Sequence, residues 1–244
     1  MMKNAMVIDL DRCIGCRTCQ AICKVHNSQP EGTWWNRVFT VGSNEHQVAY
    51  EDAAGSYEMD FLPLSCQHCE NAPCEKVCPT GATYFDDSGA VLVDYERCIG
   101  CRYCISACPY DVRQFNWSDP KEMKQMGEDG YIYGWPLDHR DGGRLVYTQN
   151  RPKGVAEKCT FCTQYTSKGE EPACVRGCPQ NARIFGDLED KGSPVSQYLD
   201  GRQFTRLKED LGTSPKVLYV KSGSKDKPAL FDPYHIDNGS KEMM

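Results

Sequence analysis

The residues of this chain that could do chemistry are its sixteen cysteines, which fall into four quartets with none left over. The first reads Cys13-x2-Cys16-x2-Cys19-x3-Cys23, and the second Cys66-x2-Cys69-x4-Cys74-x3-Cys78. The third reads Cys98-x2-Cys101-x2-Cys104-x3-Cys108, and the fourth Cys159-x2-Cys162-x11-Cys174-x3-Cys178. Four thiolates can cap the corners of a metal centre, so complete quartets point to metal ligation. Redox-switch cysteines come singly or in pairs and do not explain four full sets. Structural zinc also takes four thiolates, but usually from two separated C-x2–4-C pairs, whereas the first and third quartets are continuous runs. A disulfide framework belongs to exported chains. The start, Met1-Met2-Lys3-Asn4-Ala5-Met6, followed so soon by Cys13, leaves no room for a secretory signal and holds no twin-arginine pair.

The spacing is that of cubane iron–sulfur ligation, the C-x2-C-x2-C-x3-C-P run of bacterial ferredoxins. Three cysteines two residues apart wrap a loop around one [4Fe-4S] cube. The fourth, three residues on, faces away and reaches the neighbouring cube, so quartets work in interleaved pairs. Gly15 and Gly100 sit between the first two cysteines of their quartets, where a missing Cβ lets backbone N–H groups approach the sulfurs. Pro79, Pro109 and Pro179 follow the last cysteine of three quartets and fix φ where the chain leaves. Lys24 stands there after Cys23, a departure that does not touch ligation.

A net charge of −6 excludes the basic face of a nucleic-acid protein. Sixteen thiolates set against four cores of about +2 would add roughly −8. Arg12, Arg17, Lys24, Arg97, Arg102, Lys158 and Arg176 are threaded among the cysteines, where they either balance that charge or are ordinary surface cations. No apolar run approaches the ~18 residues of a membrane helix, so no direct span is expected. No phosphate-cradling loop, serine–histidine pair or carboxylate constellation marks a substrate site.

Short β-rich pieces beside the motifs must position the quartets: 6–8, 83–85, 91–93 and 183–185, with Asp87-Ser88-Gly89 turning between the middle two. Each C-x3-C ending is expected on a short helix. Residues 35–41 and 47–50, around Gly42-Ser43-Asn44, read as a hairpin, and 118–154 as a loop-like insertion. Residues 194–199 read as a helical turn or two and 216–220 as a strand; the polar stretch after Ser222 is expected to hug a partner or stay mobile. Asp9-Leu10-Asp11-Arg12-Cys13-Ile14-Gly15-Cys16-Arg17 recurs as Asp94-Tyr95-Glu96-Arg97-Cys98-Ile99-Gly100-Cys101-Arg102. Cys78-Pro79-Thr80-Gly81-Ala82 matches Cys178-Pro179-Gln180-Asn181-Ala182. A two-quartet unit has been duplicated.

The quartet order, the x4 gap of the second quartet, the x11 gap of the fourth and the C-terminal extension resemble the iron–sulfur subunits of molybdopterin oxidoreductases of the dimethyl sulfoxide reductase family, over roughly residues 5–220. The resemblance implies an α+β fold of two interleaved bacterial-ferredoxin-like units with inserted hairpin and loops and a C-terminal extension. One unit would take 1–24 and 155–190, and the other 61–117. Between them lie a hairpin insertion at 25–60 and a loop insertion at 118–154, with a partner-contacting extension at 191–244. It also implies four [4Fe-4S] clusters. Cluster 1 would sit on Cys13, Cys16, Cys19 and Cys178, and cluster 2 on Cys23, Cys159, Cys162 and Cys174. Cluster 3 would take Cys66, Cys69, Cys74 and Cys108, and cluster 4 Cys78, Cys98, Cys101 and Cys104. Some relatives replace a third-quartet cysteine and hold a three-iron centre, but Cys101 keeps this quartet complete.

By the same resemblance the chain is a non-catalytic electron-transfer subunit. It would relay electrons between a molybdopterin-containing catalytic subunit near cluster 1 and a membrane quinol-linked subunit or soluble redox partner near cluster 4. Export with a partner's signal and residence in the cytoplasm both stay open. The rival reading is a stand-alone polyferredoxin serving a hydrogenase or other redox complex, which has less need of the insertions and the extension. A zinc-stapled interaction module is the third. His68, inside Cys66-Gln67-His68-Cys69, could ligate iron as in Rieske centres, but the complete quartets leave it a supporting or surface position. His26, His46, His139 and His235 show no partner spacing. Tyr103, Phe115, Trp117 and Phe161 either shield clusters or pack the core, and Trp34-Trp35 reads as hairpin core or interface.

Overall fold

The computed structural model describes residues 3–41, 50–51, 57–117 and 138–221. Strand β1 (Asn4–Asp9) is buried along its whole length because both of its faces are covered. Met6 and Ile8 face the main core, which also holds many of the cysteines, while Ala5 and Val7 face a second cluster with Val195 and Leu218. A doubly covered strand reads as a continuous apolar run. Its antiparallel partner is β12 (Arg183–Asp187), directly after the fourth quartet, and its parallel partner is β13 (Val217–Val220). The order β12-β1-β13 therefore ties the first quartet to the fourth across most of the chain. Helix α6 (Pro194–Leu199) closes the far face of this sheet by packing on β12. The strand expected at 216–220 in the C-terminal extension thus joins the sheet that holds the first and fourth quartets.

The second and third quartets flank an antiparallel hairpin, β6 (Thr83–Phe85) and β7 (Val91–Val93), with the turn where the sequence placed it. Asp86 caps that turn: its Oδ1 accepts the Ala90 N–H at 2.7 Å. Two strands of two residues, β8 (Gln114–Phe115) and β11 (Ala156–Glu157), pair antiparallel and lead out of the third quartet and into the fourth. The cysteine-bearing helices pack as α1 (Thr18–His26) on α5 (Ala173–Arg176), and as α2 (Pro73–Lys76) on α3 (Tyr103–Ser106). A further turn of helix, α4 (Thr163–Thr166), follows Cys162. No helix among the described residues is long and apolar enough to cross a membrane.

Two expectations are corrected. Residues 47–49 of the expected hairpin lie outside the described residues, and Tyr50 pairs elsewhere than with the strand after Trp35, β2 (Asn36–Val41). Strand β2 pairs antiparallel with β5 (Asp60–Ser65), which leads straight into the second quartet, while β3 (Tyr50–Glu51) pairs with β4 (Tyr57–Glu58). Six paired positions join β2 to Asp60–Ser65, and register follows the strand that shares a buried face. The turn at Gly42-Ser43-Asn44 lies outside the described residues. The stretch 118–154 is not loop throughout. Its part 118–137 lies outside the described residues, but β9 (Asp138–Asp141) and β10 (Arg144–Thr148) form a hairpin about Gly142-Gly143. Both glycines have φ above zero, at 52° and 88°, as such a turn requires.

Trp35 is core rather than interface. Its Nε1–H donates to Glu157 Oε2 at 3.1 Å, and Glu157 Oε1 accepts from Arg151 Nε at 2.7 Å with both ion-pair side chains fully buried. Arg151 also donates to the carbonyls of Asn27, Ser28 and Thr148, so one side chain fastens the segment after α1 to the strands before the fourth quartet. Glu157→Ala leaves this guanidinium buried without its carboxylate. The expected loss is about 3–5 kcal/mol, read as a lowered Tm in anaerobic thermal denaturation.

Candidate metal centres

The four quartets become four sulfur-lined cavities, and the sets do not follow the sequence runs. Cys13, Cys16 and Cys19 line the first together with Cys178. The second is lined by Cys23, Cys159, Cys162 and Cys174. The third carries Cys66, Cys69, Cys74 and Cys108, and the fourth Cys78, Cys98, Cys101 and Cys104. Each cavity encloses between 320 and 380 Å³, open in part to solvent. A zinc ion would draw its sulfurs to about 2.3 Å from one point. Among the described residues no three His, Cys, Asp or Glu side chains converge in that way. The sulfurs stand around a volume, which suits a cube of iron and sulfide.

The loops are shaped for this. The residue two after the first cysteine of each quartet has a left-handed backbone: Gly15 at φ 65°, His68 at 44°, Gly100 at 69° and Phe161 at 55°. That conformation turns N–H groups inward. His68 N–H donates to Cys66 Sγ at 3.5 Å, and Phe161 N–H to Cys159 Sγ at 3.4 Å. Thr83, Ala156 and Ala182 donate N–H groups to Cys78, Cys98 and Cys178 at 3.3–3.4 Å. The Gln29 side-chain amide donates to Cys23 Sγ at 3.3 Å. Donors aimed at sulfur stabilise negative charge there and raise a cluster's potential.

Neighbouring cavities share side chains, which sets their order. Arg183 lines both the first and the second. Phe161 lines the second and His68 the third, and their rings stack at 3.6 Å with planes 14° apart. Arg113 lines the third and lies against Cys104 of the fourth. His68 is therefore a buried spacer, not a surface residue. Its Nδ1 accepts the Val91 N–H at 3.1 Å, which leaves the ring proton on Nε2. Burial, Lys158 and Lys216 hold its pKa well below the usual histidine range. Lys158, one of the seven cations singled out in the sequence, is buried at this seam and donates to the Val91 and Cys159 carbonyls. The others lie nearer solvent; Arg12 and Arg97, for example, pair with Asp9 and Asp94. Phe115 and Trp117 form a tilted ring pair beneath Arg102, while Tyr103 and Trp117 are exposed.

The thiols themselves ask for positive charge. Burial and the nearby Cys174 push the Cys162 thiol up to about 12, and burial and Cys66 do the same to Cys69. Cys16, near the surface, is held below its usual value by the Thr18 hydroxyl and N–H.

Family profiles described as a 4Fe-4S dicluster domain match residues 12–82, 57–128 and 97–183. The chain is 44% identical over 225 residues to a protein of Halobacterium salinarum described as the iron–sulfur subunit of a dimethyl sulfoxide reductase, covering 90% of this chain and 79% of that one. It belongs to the iron–sulfur subunits of the dimethyl sulfoxide reductase family. The arsenate respiratory reductase iron–sulfur subunit of a Shewanella species is 37% identical, with 91% of this chain and 97% of that protein covered. A tetrathionate reductase subunit of Salmonella typhimurium is 38% identical over 89% and 72%. Family membership makes this chain an electron-transfer subunit with four [4Fe-4S] clusters; converting a substrate is not its task.

Sequence reasoning missed two residues of the site, Arg183 and Arg113. Each stands five residues after the last cysteine of a quartet, Cys178 or Cys108, and that repeated offset was the available signal. The glycines make a test. A Cβ on Gly100 would lie 2.2 Å from the Gly154 carbonyl oxygen, whereas one on Gly15 would meet the Phe61 ring at 2.3 Å. A ring can turn aside more easily than backbone. Gly100→Ala should therefore lose about one cluster's iron in four, and Gly15→Ala should lose less, by iron analysis of anaerobically purified protein.

Proposed function

We propose that the chain is a four-step relay between a molybdopterin-containing catalytic subunit docked beside the first cavity and a membrane quinol-linked subunit or soluble redox partner docked beside the fourth. One observation carries this reading: exposure is concentrated at the two ends. Cys16 in the first cavity and Cys101 in the fourth are the exposed cysteines, while all four cysteines of the second cavity and three of the four in the third are buried. Beside the exposed ends stand large apolar side chains open to solvent, Ile14 at 54% and Ile99 at 67%, and Tyr103 and Trp117, the latter beneath Arg102 of the third quartet, are exposed as well. Apolar residues left open beside a redox centre suit surfaces that a partner covers.

The proposed ligand sets follow the cavities: Cys13, Cys16, Cys19 and Cys178; Cys23, Cys159, Cys162 and Cys174; Cys66, Cys69, Cys74 and Cys108; Cys78, Cys98, Cys101 and Cys104. The proposed organisation is two interleaved ferredoxin-like units. One is built from 1–24 and 155–190, held by β1 against β12 and α1 against α5. The other is built from 61–117, held by β6 against β7 and α2 against α3. Segments 25–60, 118–154 and 191–244 are assigned to framing and docking; β2, β9–β10 and β13 are the parts of them that pack onto the units. A bound cluster supplies one-electron exchange with little rearrangement. The chain's own residues fix the intervals, exclude water from the inner sites and point N–H groups at sulfur.

The ligand sets predict which distant residues fail together. Cys13→Ser and Cys178→Ser should perturb the same paramagnetic signal, and Cys78→Ser and Cys104→Ser another. Signals that part company within either pair would refute the sets. The relay itself is tested by affinity purification from anaerobically grown cells. A large pterin-containing chain should accompany this one in stoichiometric amount; recovery of a stable, free, cluster-loaded monomer would favour the polyferredoxin reading instead.

A further inference from the structure

Three arginines among the described residues are almost wholly buried: Arg151 at 0%, Arg113 at 2% and Arg183 at 3% exposed. Arg151 has the Glu157 carboxylate and three carbonyls, so its charge is accounted for. The other two form no ion pair with any carboxylate among the described residues. Arg183 donates from Nη2 to Asn36 Oδ1 at 3.0 Å, and Nη1 rests against Met6 Sδ at 3.3 Å and Cys174 Sγ at 3.8 Å. Arg113 donates from Nη1 to Thr83 Oγ1 at 3.3 Å, while its Nε and Nη2 have no hydrogen-bond acceptor. A guanidinium stays charged at any working pH, and a buried charge without a counter-charge is strongly unfavourable.

What lies around both is sulfur. Arg183 sits in the wall common to the first two cavities, with Cys174 on one side and Cys19 on the other. Arg113 sits between the last two, facing Cys74 and Cys66 of the third and Cys104 of the fourth. The two occupy matching places, after Cys178-Pro179 and Cys108-Pro109, in the two halves of a duplicated chain. A duplicated position that keeps a buried cation, without a carboxylate, beside cysteines of two cavities has an electrostatic task.

We propose that Arg183 and Arg113 are the fixed counter-charges of the relay, one inside each proposed cluster pair, each raising the reduction potential of the two centres it separates. This rests on the ligand sets proposed above. The redox step involved is the arrival of one electron at a centre, with no bond made and no proton moved. A nearby positive charge stabilises the reduced state and so raises the potential. Because Arg183 touches only the first pair and Arg113 only the second, each acts on half of the relay. Both are positioning residues, since neither exchanges the electron.

The test is an anaerobic redox titration of the cluster-loaded protein, followed by electron paramagnetic resonance, with iron and acid-labile sulfide counted in parallel. The variants are Arg183→Gln, Arg183→Lys, Arg113→Gln and Arg113→Lys. Arg183→Gln should lower the midpoints of two of the four centres, and Arg113→Gln those of the other two. At a fixed ambient potential the reduced-to-oxidised ratio should fall about tenfold, which is 59 mV for a one-electron centre. The lysine variants should restore most of the shift. Loss of iron from a glutamine variant that the matching lysine variant retains supports the same role.

Full iron with unmoved midpoints in both glutamine variants overturns the proposal. So does a lysine variant that shifts, or loses iron, as far as its glutamine counterpart, because shape and not charge would then be at work. The ligand-set reading fails separately. A wild-type protein lacking about sixteen iron atoms, or cysteine pairs whose signals do not match, sinks that reading whatever the arginines do.

Discussion

Four thiolates gathered inside a protein repel one another, and this fold is arranged around that repulsion. Desolvation makes it worse, which is why Cys162 and Cys69 hold their protons up to about 12. A positive core at the centre of each quartet relieves most of it. N–H groups pointed at the sulfurs and guanidinium groups set between neighbouring cavities relieve more. The alternative, exposing the sulfurs to water, is used only at the two extremes, where Cys16 and Cys101 reach the surface. The inner sites keep nearly all their cysteines buried; the outer ones each bring one cysteine to the surface.

The same constraint explains the irregular backbone. A loop that wraps a cube must turn its amides inward, and the left-handed conformation at the second residue after the leading cysteine does this in all four quartets. Two of these positions are glycine, at little conformational cost. The other two are His68 and Phe161, where a bulky side chain with φ above zero is strained. Their rings meet face to face across the boundary between the two halves. The strain is held in place by that contact, by burial and by the Val91 N–H on His68 Nδ1.

Much of this was legible in the chain because cysteine spacing is local geometry. The quartets, the metal they hold, the helices under each C-x3-C ending and the hairpin at Thr83–Val93 all follow from residues within a few positions of one another. Long-range pairing was less legible. Nothing local tells Asn36–Val41 to take Asp60–Ser65 as its partner, since that pairing is made by a shared buried face. Nor does composition say that Val217–Val220 will lie parallel to β1 rather than trail away from the core. Arg183 and Arg113 were hidden for another reason. Outside the quartets an arginine looks like surface charge until burial shows it without a carboxylate.

The first cavity is closed by residues from opposite ends of the described chain: three cysteines precede α1's end, and the fourth is Cys178. A ribosome delivers those pieces far apart in time. All the cysteines of the third and fourth cavities are present once Cys108 has emerged, whereas the first must wait for Cys178, just before the strand that zips onto β1. The cysteines of the third and fourth cavities are thus all present in the chain while those of the first and second still await sulfurs from Cys159 onward. Until then four thiols, those of Cys13, Cys16, Cys19 and Cys23, stand without their distant partners, so protection from oxygen matters most before synthesis is finished.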